Sequence, residues 1–237
     1  GRSIRTHQRV SEAIVERLPA TLELTGAALL FSVLVGLVVG TLSALYRNSA
    51  LDLLATSLTI AGVSIPNFLL GLLFILCFSV WLGWFPVAGY SPLEYGWLKT
   101  LRSLVLPAFA LGLVQSALIA RIARSSMLDI LREQFITAGR AKGLGERAVI
   151  YKHALKNAMI PTVTIIGISF AILISGAVVV ETVFNIPGLG RLIISAVLRR
   201  DYPVIQGVVL CIAGLYMLIN LAVDLSYLIF DPRVKYQ

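Results

Sequence analysis

Charge is what this sequence has least of. Asp, Glu, Lys and Arg supply 14% of its 237 residues, where a soluble domain carries roughly a quarter. A fully solvated surface is therefore excluded. Histidine occurs only as His7 and His153, so a histidine-based metal site at membrane depth has no ligands. No Ser/His/Asp set falls within the apolar blocks either, which counts against intramembrane catalysis. The two cysteines, Cys77 and Cys211, both lie inside apolar blocks and read as core or lipid-facing thiols, not as a disulfide or a metal pair. A GxxxxGK[ST] phosphate loop is missing, so the chain has no means of cradling ATP itself. The alternating pattern of a β-barrel is absent, which leaves helices as the way to satisfy backbone groups in lipid. No cleavable signal peptide is visible.

What is present is apolar: 58% of the residues are hydrophobic and the mean hydropathy is +0.89. The surplus sits in blocks of about 20 residues or more, the length a helix needs to cross a bilayer. The expected fold class is all-α, a polytopic transmembrane protein with spans at about 19–45, 51–82, 104–122, 160–183 and 203–230. Residues 1–18 form an amphipathic segment ahead of the transmembrane domain, 19–237. The first span opens on Pro19 and carries Gly36 and Gly40, a small-xxx-small pair that admits another helix closely. The second holds Pro66 near its middle and reads as one long kinked span. Between about 83 and 103 the aromatics Trp84, Tyr90, Tyr95 and Trp97 mark a loop at headgroup level. Pro107 stands near the start of the third span and Pro161 opens the fourth. A second loop runs from about 181 to 202, and the fifth span follows it.

The net charge of +8 raises nucleic acid as a partner, but the basic residues cluster beside apolar blocks, so membrane topology accounts for them and no nucleic acid is expected. Eleven Lys and Arg fall on one side of the spans and nine on the other. The positive-inside rule then puts Arg121–Lys156 and the carboxyl end in the cytoplasm and residue 1 outside, a parity that an upstream span explains.

One polar stretch interrupts the apolar pattern, Glu133 to Pro161, EQFITAGRAKGLGERAVIYKHALKNAMIP. Arg124 to Lys142 can continue as helix. Gly143 and Gly145 are suited to ending it, since glycine alone takes left-handed dihedrals cheaply, and Glu146 to Met159 can form a second short helix. Such a hairpin is a stiff knob for passing force between a partner and the spans; a basic amphipathic stretch resting on anionic lipid is the competing description. His153 reads as a contact residue and not a base. Weaker candidates for the transport path or its external partner are Asn67 beside the Pro66 kink, Glu181, Asn185 and Asp201 around the second loop, and Asn220 with Asp224 on one face of the last span. Capping or solvated roles for Glu181 and Asp201, and an interfacial one for Asp224, remain open.

The stretch resembles the cytoplasmic EAA loop of membrane subunits of ABC importers, in the version of the dipeptide/oligopeptide/nickel permease family. The resemblance lies in Thr137-Ala138-Gly139-Arg140-Ala141-Lys142-Gly143-Leu144 followed by His153-Ala154-Leu155-Lys156-Asn157-Ala158-Met159-Ile160-Pro161. It continues through Val180-Glu181-Thr182-Val183-Phe184-Asn185-Ile186-Pro187-Gly188-Leu189-Gly190-Arg191, Arg200-Asp201-Tyr202-Pro203, Asn220-Leu221-Ala222-Val223-Asp224 and Asp231-Pro232-Arg233. Thr137 replaces the Glu that names the wider motif and Gly139 its second Ala; the longer Gly143-to-Pro161 spacing favours the peptide-type branch over the sugar-type one. The resemblance implies a permease subunit in a bacterial cytoplasmic (inner) membrane, paired with a second permease chain and served by an extracytoplasmic solute-binding protein. Two cytoplasmic ATPase subunits would carry the ATP-Mg, with no cofactor in this chain and no enzymatic activity of its own. ATPase coupling would fall to Thr137, Ala138, Gly139, Arg140, Lys142, Gly143, Leu144, Gly145, Tyr151, His153 and Leu155. Small peptides are the implied substrate, with nickel chelates, glutathione or opine-like compounds as alternatives, and a non-transporting membrane scaffold as the reading from another class. Family members usually have six spans, so the chain looks like a piece lacking the first.

Overall fold

Apolar blocks of this length fold as helices because a helix satisfies its own backbone groups where no water can. In the computed structural model, which describes residues 1–230, helices account for nearly all of the regular structure. They are α1 (Val10–Val15), α2 (Leu18–Leu45), α3 (Ala50–Ser64), α4 (Asn67–Phe74), α5 (Trp97–Leu131), α6 (Gln134–Ala141), α7 (Leu155–Val183), α8 (Leu189–Leu198) and α9 (Tyr202–Phe230). Two π-helical segments, Ile75–Trp81 and Ala148–Ala154, run on from α4 and into α7, and a 3-10 turn covers Leu93–Tyr95. Among the described residues four runs are long and apolar enough to cross a membrane: Val10–Leu45, Trp97–Leu131, Ala148–Val183 and Tyr202–Val223. The interrupted pair Ala50–Ser64 and Asn67–Trp81 makes a fifth if counted as one span. Asp231-Pro232-Arg233 and the side chain of Asp224 lie outside the described residues.

Several boundaries differ from the sequence expectation, each for a physical reason. The second apolar block is two helices instead of one kinked helix. Pro66 lacks an N–H and caps α4 in an extended conformation (φ −60°, ψ 141°), and a proline also disfavours helix in the residue before it. The loop expected up to residue 103 ends early, because Trp97–Ser103 forms the first turns of α5; interfacial aromatics sit at headgroup level in helix and loop alike. Pro107 and Pro161 lie inside α5 and α7 and do not open them. The second expected loop contains α8.

The chain divides into two units. The first gathers residues 1–31, 65–113 and 170–219. Its core includes Val10, Leu189, Ala196, Val204 and Val208, with Ile14 and Leu192 packed against them. The amino-terminal segment is therefore docked: Val10 and Ala13 are buried, and Gly207 leaves no space beside Val10 for a side chain. The second unit gathers 32–64, 114–169 and, among the described residues, 220–230. Here the expected close approach at Gly36 and Gly40 is present. A Cβ on Gly36 would lie 2.8 Å from Ile119, and one on Gly40 2.9 Å from Ala123, so α2 and α5 meet with backbone nearly on backbone.

Candidate functional site

The polar stretch begins where α5 stops. The chain breaks at Arg132 and Glu133, with the Glu133 N–H donating to the Ile130 carbonyl, and re-enters helix as α6. α6 has one apolar contact face, and Ile136 on it is 1% exposed. Ile136 packs with Met127 of α5, Ala44 of α2, and Val149, Ala154 and Ala158 of the following helical run. Burying a side chain of this size stabilises by about 2–3 kcal/mol, enough to fix so short a helix against its neighbours.

The turn after α6 is built as a glycine C-terminus. Gly143 takes φ +80°, a region that costs other residues strain, and its N–H donates to Arg140 while the Leu144 N–H donates back to the Gly139 carbonyl. Arg140 reaches across the turn to Glu146 in a two-pronged ion pair, with 2.6 Å for its shorter arm. The pairing raises the guanidinium and lowers the carboxyl from their ordinary values. Both side chains are exposed, so the pair braces the turn without adding much stability. The chain then rises through Ala148–Ala154 directly into α7. The expected second short helix is thus the start of a 36-residue helical run, Ala148–Val183, that passes through Pro161. On the outward side Thr137, Ala138, Arg140, Lys142, Gly143, Leu144, Gly145 and Tyr151 are exposed, while Gly139, His153 and Leu155 are half-buried. The eight exposed residues lie outside a cluster that includes Ile136, Val149 and Ala154, whereas Leu155 packs against that cluster and belongs to its underside.

Two residues not singled out in the sequence stand beside this surface's support. Asp52, in the first turn of α3, is buried and accepts two hydrogen bonds from the Arg124 guanidinium of α5, at 2.7 and 2.8 Å. It also accepts from the Ser43 hydroxyl of α2 and the Asn48 N–H. One carboxylate thereby ties three helices together. The only available signal was a lone acid at the edge of an apolar block, and its partner is 72 residues away. A second missed pair is Gln115 of α5, whose amide donates to the Ser169 hydroxyl of α7 at 2.5 Å.

The remaining candidates are dispersed. Glu181, at the end of α7, is fully buried. It accepts from the Thr21 hydroxyl at 2.6 Å and the Arg191 N–H at 3.0 Å, while Thr21 in turn accepts from the Leu189 N–H. These N–H groups belong to the first turn of α8, which the carboxylate serves as an anionic cap. A Cβ on Gly188 or Gly190 would run into Glu181 or Val178, which accounts for the glycines of the loop. Asp201 is buried ahead of α9 and accepts from the Ser3 hydroxyl and the Ile4 N–H. The Ser3 hydroxyl, followed by the backbone N–H groups of Ile4, Arg5 and Val204, outweighs burial and holds its carboxyl below the usual range. Asn185 is exposed with φ +56°. Asn67 begins α4, and its amide nitrogen stands 3.4 Å from where a Cβ on Gly176 would be. Asn220 is half-buried on α9. Tyr90 donates to Glu23 at 2.8 Å, and burial followed by that carboxylate raises its phenol above the ordinary value. Among the described residues no three His, Cys, Asp or Glu side chains are grouped as metal ligands.

Comparison with known proteins bears on the chain as a whole. The family described as binding-protein-dependent transport system inner membrane component matches residues 36–236. A Brucella abortus protein, provisionally named a peptide transport system permease, is 45% identical over 236 residues, covering all of this chain and 75% of that one. The di/tripeptide transport system permease protein of Pseudomonas aeruginosa is 41% identical, with 100% and 76% covered, and the glutathione transport system permease protein of Salmonella paratyphi A 42%, with 100% and 75% covered. Among solved structures, an inward-facing form of a methionine ABC transporter superposes with TM-score 0.76 at 22% identity, covering 93% of this chain and 97% of that one. An amino acid ABC transporter gives 0.65 at 19% identity, covering 94% and 95%. At such identities these two establish the fold alone. With helical runs of membrane-crossing length and a family match over most of its length, the chain belongs to the inner membrane components of binding-protein-dependent transport systems, as a multi-pass protein of the bacterial inner membrane.

Proposed function

We propose that this chain is the permease subunit of an ABC importer for small peptides, forming the translocation path with a second, related permease chain. The surface of Thr137–Gly145 and Tyr151 is the seat of a cytoplasmic ATPase, and a solute-binding protein delivers substrate on the opposite side. The observation that carries this reading is mechanical. An exposed, ion-paired turn stands on a buried cluster that includes Ala44 of α2, Met127 of α5 and the root of α7. A push on the turn therefore reaches three long helices at once and is not absorbed by a loose loop. The names of the relatives, peptide, di/tripeptide and glutathione permeases, support a short peptide as the cargo, glutathione being itself a modified tripeptide.

The experiment is a pair of substitutions on the exposed side, Leu144→Ser and Tyr151→Ala, neither of which touches the buried cluster, assayed in the assembled transporter. Truncating an aromatic anchor at an interface costs about 2 kcal/mol, so ATPase hydrolysis stimulated by substrate-loaded binding protein should fall by more than tenfold while the complex remains folded. Unchanged stimulation with both substitutions present would refute a coupling role for this surface.

A further inference from the structure

Within the first unit a cavity of about 300 Å³ lies between the amino-terminal segment, α8 and the start of α9. Four arginines line it, Arg5, Arg17, Arg191 and Arg199, together with Thr6 and Ser195. Among the described residues none of the four guanidiniums forms an ion pair. Three of them donate to backbone carbonyls: Arg5 to Arg199, Arg17 to Ala13 and Arg191 to Asn185. Those bonds aim the side chains without neutralising them. The one carboxylate on the wall, Asp201, is engaged by Ser3 and Ile4. A concave site with four cations against one anion concentrates anionic counter-ions, and four planar guanidiniums match the several oxygens of a phosphate better than the two of a carboxylate.

The source of that phosphate follows from where the cavity sits in the sequence. Its lining residues include Ser3, Arg5, Thr6 and Gln8, ahead of α1, and Arg199 and Asp201, which stand just before the apolar run that begins at Tyr202. Residues at the ends of spans lie at headgroup level. Beside Arg199, Val197, Leu198 and Tyr202 expose apolar surface, Leu198 to 79%, which acyl chains can cover. We propose that the cavity binds the headgroup phosphate of an anionic phospholipid, held by Arg5, Arg17, Arg191 and Arg199. Its role is to fasten the amino-terminal segment and α8 to the membrane surface.

The test titrates the purified, delipidated full protein with phosphatidylglycerol or phosphatidylcholine in neutral detergent and counts bound lipid by native mass spectrometry. Saturable binding of phosphatidylglycerol is expected, weakened about tenfold or more in Arg5→Gln/Arg199→Gln and little changed in Arg47→Gln, which lies outside the cavity. Equal binding of the two lipids by the unaltered protein overturns the proposal and needs no variant to fold. So does undiminished binding in the double variant, or in Arg191→Gln should the double variant fail to fold. Displacement of the lipid by millimolar inorganic phosphate would make this a free-phosphate site, and displacement by an acidic peptide a protein-docking site; either result also overturns it.

Discussion

Asp52 shows how one residue can organise a polar site inside an apolar protein. A carboxylate removed from water is tolerable only if its acceptor capacity is filled, and Arg124, Ser43 and the Asn48 N–H fill it. Breaking such a pair costs more than deleting it, because the remaining charge has no partner. Arg124→Met should therefore lower stability by about 3 kcal/mol, whereas Asp52→Leu/Arg124→Met should recover most of that loss. Thermal unfolding of the detergent-solubilised protein measures both, and a double variant no more stable than the single one would contradict it. Asp201 permits a prediction in pH. Its folded carboxyl is held below the ordinary aspartate value of about 3.9, so its contribution is complete above that value and is lost as pH falls through the lower, folded one. Hydrogen exchange at the Ile4 amide, corrected for intrinsic rates, should thus show constant protection between about pH 7 and 5, and reduced protection at both in Asp201→Asn. Protection that declines across that window in the unaltered protein would rule the linkage out.

At the scale of elements, what the sequence made legible was local. Gly36 and Gly40 lie one turn apart on the same helix, so the close approach could be read from spacing, and the turn at Gly143 followed from its own chemistry. What stayed hidden depended on distant residues or on hydrogen-bond register. A capping role was among the readings of Glu181, but Thr21, 160 residues away, gave no sign of being its partner. α8 was concealed behind Asn-Ile-Pro-Gly-Leu-Gly, whose glycines read as loop but make room for a buried carboxylate. The π-helical segment at Ala148–Ala154 uses residues that suit an α-helix equally, so nothing marked the second half of the island as the root of α7. That continuity yields a further expectation. α6 is eight residues long, too short to persist alone, and Ile136 is its buried anchor. Ile136→Ala should cost about 2–4 kcal/mol, with the loss concentrated at α6, so hydrogen exchange across Gln134–Ala141 should quicken while the middle of α5 stays protected. Uniform quickening along both helices would show instead that α6 is not held independently by this contact.

For the whole molecule the governing question is which face of the membrane each end of the helical runs meets. The apolar runs Trp97–Leu131 and Ala148–Val183 flank the α6 turn, so the turn and the residues just before Trp97 must lie on opposite faces if Trp97–Leu131 crosses once. Arg121–Lys156 alone carries eight Lys and Arg, and moving that many charges outward is disfavoured. Single cysteines can decide this in a background where Cys77 and Cys211, both half-buried, are replaced by alanine. Lys142→Cys and Glu94→Cys both place a thiol on exposed chain. A membrane-impermeant maleimide added to intact cells should label Glu94→Cys and spare Lys142→Cys; in inverted vesicles the pattern should reverse. Labelling of Lys142→Cys from outside would put the α6 turn beyond the reach of any cytoplasmic ATPase. Labelling of both positions from the same side would mean that Trp97–Leu131, for all its length, does not cross.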